Sequence, residues 1–236
     1  MKITSVQNEL IKGLAKLHQK KHRDITNEVL IEGEHLVDEA LKSNLVIKTL
    51  GINEGDILIS ERVAKKLSQT QSGSDIFAHI RKPKYEFVEG NRYLICDGVQ
   101  DPGNLGTMIR TAYSFGFDMI IVSLDSVDPY NDKVIRSTQG SIFHIPVVQM
   151  DLAQAYKILK ALDVVLYATH VSDASTTLSD VNVENRIAIV VGSEGSGVSD
   201  LTLKEANHTL FIETSHFESL NVSVAAGIIL HAIRKP

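Results

Sequence analysis

Apolar positions recur every three to four residues near the start of the chain, at Val6, Leu10, Leu14 and Leu17, which predicts one amphipathic helix over residues 6–22. The pattern then shortens. Glu28-Val-Leu-Ile-Glu32 reads as a strand broken by Gly33, Glu34 to Ser43 as a helix, and Leu45 to Ile52 and Ile57–Ile59 as strands. Ser60 is placed to cap a helix over Glu61–Leu67, and Ile76–Ile80 closes the module as a further strand. These alternating elements describe a small α/β unit. The polar, proline-containing stretch from Arg81 to Asn91 suits a linker, so a boundary is expected near residue 90, dividing 1–90 from 91–236.

Beyond residue 90 the strands are largely apolar. Tyr93–Cys96, Met119–Val122, Val164–Ala168, Ile187–Val191 and Thr209–Ile212 alternate with helices expected over Asn104–Phe115, Asp132–Ser137, Leu152–Leu162 and from Leu220 onward, with a further segment around Phe143–Val148. Apolar strands of this kind imply an α/β fold with a mainly parallel sheet and helices on both faces. Such sheets bind ligands in the crevice beyond the carboxyl ends of their strands. The loops leaving the strands are therefore where chemistry is to be sought.

Three of these loops stand out. In Asp97-Gly-Val-Gln-Asp-Pro-Gly-Asn-Leu-Gly-Thr-Met-Ile-Arg110, Pro102 and Gly103 make a turn and Asn104 can cap the helix that follows, with Arg110 one to two turns in. A capped helix with a surface arginine explains this loop as well as an anion site does. The second, Gly192-Ser-Glu-Gly-Ser-Gly197, follows a fully apolar strand and leaves backbone groups open to a flat ligand, without the spacing of the dinucleotide fingerprint. Glu194 there is either a solvated turn carboxylate or a functional one. In the third, Phe217-Glu-Ser-Leu-Asn-Val-Ser-Val-Ala-Ala-Gly227, Ser219 is expected to cap the last helix, while Asn221 can offer an amide to a ligand or satisfy local backbone groups.

Composition narrows the class. A chain of 236 residues suits two domains, and 43% hydrophobic with 22% charged residues is ordinary globular usage. No apolar run is long enough to span a bilayer and the first residues lack the apolar core of a signal peptide, so a cytoplasmic location and no membrane contact are expected. The lone Cys96 can form no internal disulfide, reads as a buried strand residue, and has no thiol neighbour with which to build a metal site; no metal is expected.

A net charge of −5 argues against a nucleic-acid partner, but its distribution reverses the argument. Residues 1–90 carry 14 Lys+Arg against 13 Asp+Glu, leaving 10 against 16 for the remainder. Lys12, Lys16, Lys20, Lys21 and Arg23 crowd one stretch, the first three on one helical face. Alone this is a solvated face. It becomes an RNA-binding face, with Arg110, once the rest of the chain supplies an RNA chemistry.

Taken in order and spacing, the three loops resemble the signature motifs of the SpoU/TrmH RNA ribose methyltransferases of the SPOUT superfamily: Asn104, Gly106 and Arg110; Gly192, Glu194 and Gly197; and Ser219 to Ala225. Lys133 to Gly140 is similar to the family's connecting segment, and Val29 to Ala40 to the ribosomal-protein-like substrate-binding domain found ahead of many members. One departure is plain: Ile212 precedes Glu213 rather than proline, and Thr214 to Phe217 lacks the usual glycine.

The resemblance implies a C-terminal trefoil knot, a homodimer through the catalytic domains and S-adenosylmethionine as cofactor. It casts Arg110, Asn104, Glu194, Ser219 and Asn221 as catalytic. It places the cofactor against backbone from Leu166 to Thr169 and against Gly192, Ser193, Glu194, Gly195, Ile212, Leu220 and Asn221. It makes Val222, Ala226, Ile229 and Ile233 on the last helix a candidate dimer face. The substrate implied is a ribose 2′-hydroxyl in structured RNA, ribosomal RNA of the large subunit before transfer RNA. Two other readings stay open: an RNA-binding protein that keeps the fold without catalysis, and a doubly wound enzyme that binds a dinucleotide.

Overall fold

The computed structural model describes residues 2–172, 174–181, 183–215 and 220–234. In chain order its elements are β1 (Lys2–Ile3), α1 (Glu9–Lys16), α2 (Lys20–Thr26), β2 (Glu28–Glu32), α3 (Glu34–Lys42), β3 (Val46–Gly51), β4 (Ile57–Ile59), α4 (Glu61–Leu67) and β5 (Ile76–Arg81). There follow β6 (Arg92–Cys96), α5 (Pro102–Ser114), β7 (Met119–Val122), α6 (Asp132–Thr138), β8 (Val147–Gln149), α7 (Leu152–Ala161) and β9 (Val165–Thr169). The chain continues through β10 (Thr176–Thr177), β11 (Ile187–Val191), α8 (Asp200–Glu205), β12 (His208–Phe211) and α9 (Val222–Ile233). Contacts divide it into two units, one made of residues up to Lys84 together with Tyr130–His144, the other of Tyr85–Pro129 and the residues from Ile145 onward.

The first unit is a mixed sheet in the order β1-β4-β3-β5-β2, with β5 antiparallel to both its neighbours. Its core joins Ile11, Leu14 and Leu17 to Leu30, Leu50, Ile59, Val63, Leu67 and Phe77. The single helix expected over residues 6–22 is two. Leu17 ends α1, and Arg23 turns back to close the break, its guanidinium donating to the carbonyls of Leu17 and His18, both at 2.8 Å. Helix ends leave carbonyls unpaired, and this arginine satisfies two of them while only 4% exposed.

Residues Tyr130–His144 belong to this unit although they lie far along the chain, a grouping that a single cut near residue 90 does not describe. His144 meets Glu39 at 2.7 Å, and Arg136 approaches Glu32 at 3.6 Å. Gly140 lies at φ +84, where a Cβ would stand 2.6 Å from that of Glu39, so only glycine allows the close approach. Lys42 and His144 together hold the Glu39 carboxyl below its ordinary range, the hydrogen bond from Lys42 contributing most.

The second unit is built on seven parallel strands in the order β10-β12-β9-β11-β6-β7-β8. Side chains alternate across such a sheet. Tyr93, Ile95, Met119, Ile121, Leu166, Ala188 and Val190 meet α7 through Leu152, Ala155, Tyr156 and Leu159. The alternate residues, among them Leu94, Cys96, Ile120, Val122 and Ile189, are fully buried on the opposite side. Helices α5 and α9 pack on each other. Burial pushes the Cys96 thiol up to about 12, which keeps it an inert core group as its strand position implies. The short elements β1, β10 and α8 have no counterpart in the apolar pattern, being too brief to show a period. Among the described residues no helix is long and apolar enough to cross a membrane.

Candidate active site

β11 is buried along its whole length and delivers the chain into the glycine loop at the carboxyl edge of the sheet. Ser193 and Gly197 exchange both backbone hydrogen bonds, each 3.0 Å, closing the loop on itself. This closure fixes residue 192 as glycine. A Cβ there would stand 2.0 Å from the carbonyl carbon of Gly197, a backbone atom that cannot yield without opening the loop. Gly195, at the tip, faces open space.

The neighbouring strand, β6, feeds α5. The cap of α5 is Asp101 rather than Asn104: its Oδ1 accepts from the Asn104 amide nitrogen at 2.8 Å, and Pro102 opens the helix. The reason is local, because proline suits the first helical position and the residue before it then takes the capping conformation. The consequence is functional. With the helix end already satisfied, the Asn104 side chain is free to reach out, and its Nδ2 donates to Oε1 of Glu194.

Asn221 completes the group. Its Oδ1 accepts from the backbone nitrogens of Ser223 and Val224 at 2.9 and 3.3 Å and so caps α9, while its Nδ2 donates to Oδ1 of Asn104 at 3.2 Å. The capping role expected of Ser219 thus belongs to Asn221; Ser219 itself lies outside the described residues. Asn221 to Asn104 to Glu194 is one directional chain, since each amide donates through nitrogen and accepts through oxygen. It joins three residues from three loops, all named from the sequence.

Beside this chain opens a cleft of about 900 Å³, its solvent-open mouth included, at the carboxyl ends of β9, β11 and β12. Of the residues expected to hold a cofactor, Thr169, Gly192, Ser193, Glu194, Ile212 and Leu220 line it; Gly195 and Asn221 do not. His170, Val171, Gly197, Leu210, Phe211, Thr214 and, from α9, Val222, Ala225 and Ile229 complete the wall. Thr214 takes part even though the loop departs from the resembled pattern, and residues 216–219 lie outside the described residues. The missed wall residues lie at the end of β12, shortly beyond β9 and β12, or on α9, where an apolar or polar identity alone carries no signal of a ligand.

Arg110 does not line the cleft. It is exposed on α5, six residues past Asn104 and hence about 9 Å further along the helix axis, and its guanidinium has no side-chain partner among the described residues. Of the basic residues in the first unit, Lys12 pairs with Glu9 at 2.6 Å and Lys20 with Asp24 at 2.7 Å. Lys16 and Lys21 are exposed without an ion pair among the described residues. Arg23 is buried by its carbonyl contacts and is withdrawn from any RNA face. The apolar stripe on α9 is also corrected: Val222, Ala226, Ile229 and Ile233 are buried within their own chain, whereas Val224 and Ile228 are 51% and 41% exposed. No cluster of possible metal ligands occurs among the described residues.

A parallel α/β domain with a cleft at its strand ends, closed by a glycine loop and edged by an amide–carboxylate chain, has the frame of a nucleotide-cofactor-binding enzyme. The chain belongs to the SpoU rRNA methylase family, whose model matches residues 91–231, and residues 8–78 match the MRM3-like substrate-binding domain. It is 37% identical to the 23S rRNA (guanosine(2553)-2′-O)-methyltransferase RlmP of Bacillus subtilis, over 98% of each chain. Among solved structures it resembles an AdoMet-bound rRNA methyltransferase from Sinorhizobium meliloti, at 28% identity and a TM-score of 0.89, over 99% of this chain and 97% of that one. An RNA 2′-O ribose methyltransferase superposes with a TM-score of 0.83 at 29% identity, over 99% and 98% of the two chains.

Proposed function

We propose that this protein transfers the methyl group of S-adenosylmethionine to a ribose 2′-hydroxyl of large-subunit ribosomal RNA in the cytoplasm. The observation that carries the reading is the joining of Asn104, Glu194 and Asn221 at the edge of one cleft. The cleft suits the cofactor by its chemistry: Leu210, Ile212, Leu220 and Ile229 offer apolar cover to a purine, and Thr169, Glu194 and Thr214 offer polar groups to a ribose and an amino acid. When bound, the cofactor supplies a methyl group made electrophilic by a sulfonium charge.

The remaining tasks fall to the protein's own residues: to align the acceptor oxygen and to ease its loss of a proton. Arg110 carries a guanidinium, which presents five N–H donors and no acceptor. Its role is therefore electrostatic, stabilising the alkoxide as it develops and steadying the adjoining phosphate. Asn104, Glu194, Ser219 and Asn221 orient the ribose and the loops. Lys12, Lys16, Lys20 and Lys21 meet RNA phosphates from the first unit.

The protein acts as a homodimer in which Val224 and Ile228 of α9 form part of the interface and Arg110 serves the partner's cleft. The C-terminal segment is threaded as a trefoil knot, a reading supported by the strand order, in which β11 and β12 fall on opposite sides of β9. The test is methyl transfer from a labelled donor to ribosomal RNA isolated from cells lacking this protein, followed by mapping of 2′-O-methyl positions. One new site in the large-subunit RNA is expected, and absence of label from every RNA would refute the reading.

A further inference from the structure

Both ends of the glycine loop are tied to one dipeptide, Cys96–Asp97. At the entry, β11 pairs with β6 with Val191 opposite Cys96, and Asp97 donates its backbone N–H to the Val191 carbonyl at 2.9 Å. At the exit, Oδ2 of the Asp97 side chain accepts from the backbone nitrogen of Ser199 at 2.8 Å and from the Thr202 hydroxyl at 2.6 Å. Asp97 is 5% exposed, and the two groups behind it, Thr202 and Tyr156, are 1% exposed each. Tyr156 lies 2.5 Å from Thr202 Oγ1. Thr202 has one proton and gives it to Asp97, so the Tyr156 hydroxyl must donate to Thr202, and the row runs in one direction from α7 through α8 to the carboxylate.

The same dipeptide starts the loop that carries Asp101 and Asn104. That loop is held on its other side, with Gly98 donating to Ser123 Oγ and Val99 to Ser126 Oγ, both at 2.9 Å. Asp97 is thus the junction where the mount of Asn104 and the exit of the Glu194 loop share one fixed point. A buried carboxylate with two donors on one oxygen is costly to leave unpaired, so the junction resists displacement.

We propose that Asp97 is a positioning residue for methyl transfer, holding the glycine loop in the register that brings Glu194 to Asn104 and Gly192 and Ser193 to the cofactor cleft. The proposal rests on the methyltransferase reading above, and its first readout does not need RNA. S-adenosylhomocysteine affinity is measured by calorimetry for wild type, Asp97→Ala and Asp97→Asn, well below each melting midpoint, with hydrogen exchange followed across residues 192–199. Loss of a charged, buried hydrogen-bond acceptor predicts about tenfold weaker binding in Asp97→Ala, with faster exchange confined to the loop. Asp97→Asn, whose amide oxygen can still accept both bonds, recovers most of the affinity and the single-turnover rate.

Should Asp97→Ala fail to fold, the double variant Thr202→Val/Tyr156→Phe replaces the two hydroxyls with apolar groups of similar shape and is expected to fold, since Tyr156 and Thr202 are removed together and Asp97 keeps the Ser199 amide. It should exchange faster across the loop and bind more weakly than wild type. Wild-type affinity and loop exchange in folded Asp97→Ala, or in the double variant, would overturn the proposal, as would Asp97→Asn being no better than alanine. A wild-type protein that binds S-adenosylhomocysteine but methylates no RNA would instead count against the substrate reading and leave the loop measurement standing.

Discussion

Asn104 donates its side-chain amide to the carboxylate of Glu194, ninety residues away in sequence, and receives the amide of Asn221 on its own oxygen. One residue therefore links the helix after β6, the glycine loop and the last helix. Asn104→Ala removes both links while touching no wall of the cleft, so S-adenosylhomocysteine should bind as before. Methyl transfer should fall on the order of 100-fold, the scale of a misplaced reacting group. Asn104→Asp should fare no better, because a second carboxylate would stand against Glu194. Single-turnover rates with saturating donor, set beside calorimetric binding, check both expectations.

Gly192 is the position where a single methyl group does the most harm. The Gly192→Ala Cβ meets Gly197 backbone at 2.0 Å, and the loop can accept it only by breaking the paired Ser193–Gly197 bonds. Loss of cofactor binding is expected along with loss of activity, in contrast to Asn104→Ala. Gly195→Ala is the control, since nothing lies within 4 Å of the added carbon and its binding should stay near wild type.

The parallel sheet was legible in the chain because its longer strands are largely apolar runs, and the loops were legible because Asn104, Glu194 and Asn221 stand in the order and spacing of the resembled motifs. Two kinds of feature escaped. Arg23 looked like part of a basic cluster, and only tertiary structure shows its guanidinium spent on the carbonyls that end α1. The stripe of Val222, Ala226, Ile229 and Ile233 has the period of a contact face, which a partner subunit and the chain's own core satisfy equally well; here the core takes it. Asp97 shows the same limit from the other side, since a carboxylate after a strand reads as solvated until Ser199 and Thr202 are seen to meet it.

Within the basic stretch from Lys12 to Arg23, Lys16 and Lys21 have no ion pair among the described residues and are open to phosphate contact. Each phosphate neutralised releases counterions, so the double variant Lys16→Ala/Lys21→Ala should lower the salt dependence of RNA binding by about 1.5 in the log–log slope. Affinity should fall for matched and unmatched RNA alike. Arg23→Ala should instead leave the slope unchanged and lower the melting temperature, because it uncovers two helix-terminal carbonyls. Filter binding across a salt series, with a thermal melt, separates the two behaviours.

His18 should make the protein acid-sensitive near neutrality. Burial, with the Arg23 charge, pulls its pKa below the ordinary 6.5, against the opposing charges of Asp132 and Glu32 and the Leu67 carbonyl, and its Nε2 is buried with no hydrogen-bond partner among the described residues. The unfolded chain takes up a proton at about 6.5, before the folded one does, so stability is full above that pH and declines as the pH falls towards the lower folded value. The melting temperature should drop between pH 7.5 and 5.5 by more in wild type than in His18→Gln. An identical decline in both proteins would remove His18 as the cause.

Arg110 stands exposed on α5 and outside the cleft wall, while Val224 and Ile228 lie one helical turn apart on the uncovered side of α9. If two copies join through that side, a guanidinium unused by its own chain can serve the neighbour's cleft. Ile228→Asp should then shift the protein to monomer in sedimentation with little change in the fold, since the residue is already half exposed, and methyl transfer should be lost with the dimer. Arg110→Ala should lose methyl transfer on the order of 100-fold and keep cofactor binding. Mixing decides the geometry: Arg110→Ala and Asn104→Ala are each inactive, but heterodimers of the two would hold one site with both groups intact. Random exchange of subunits should therefore restore about a quarter of wild-type activity. No recovery after proven subunit exchange would mean that Arg110 works in its own chain or not at all.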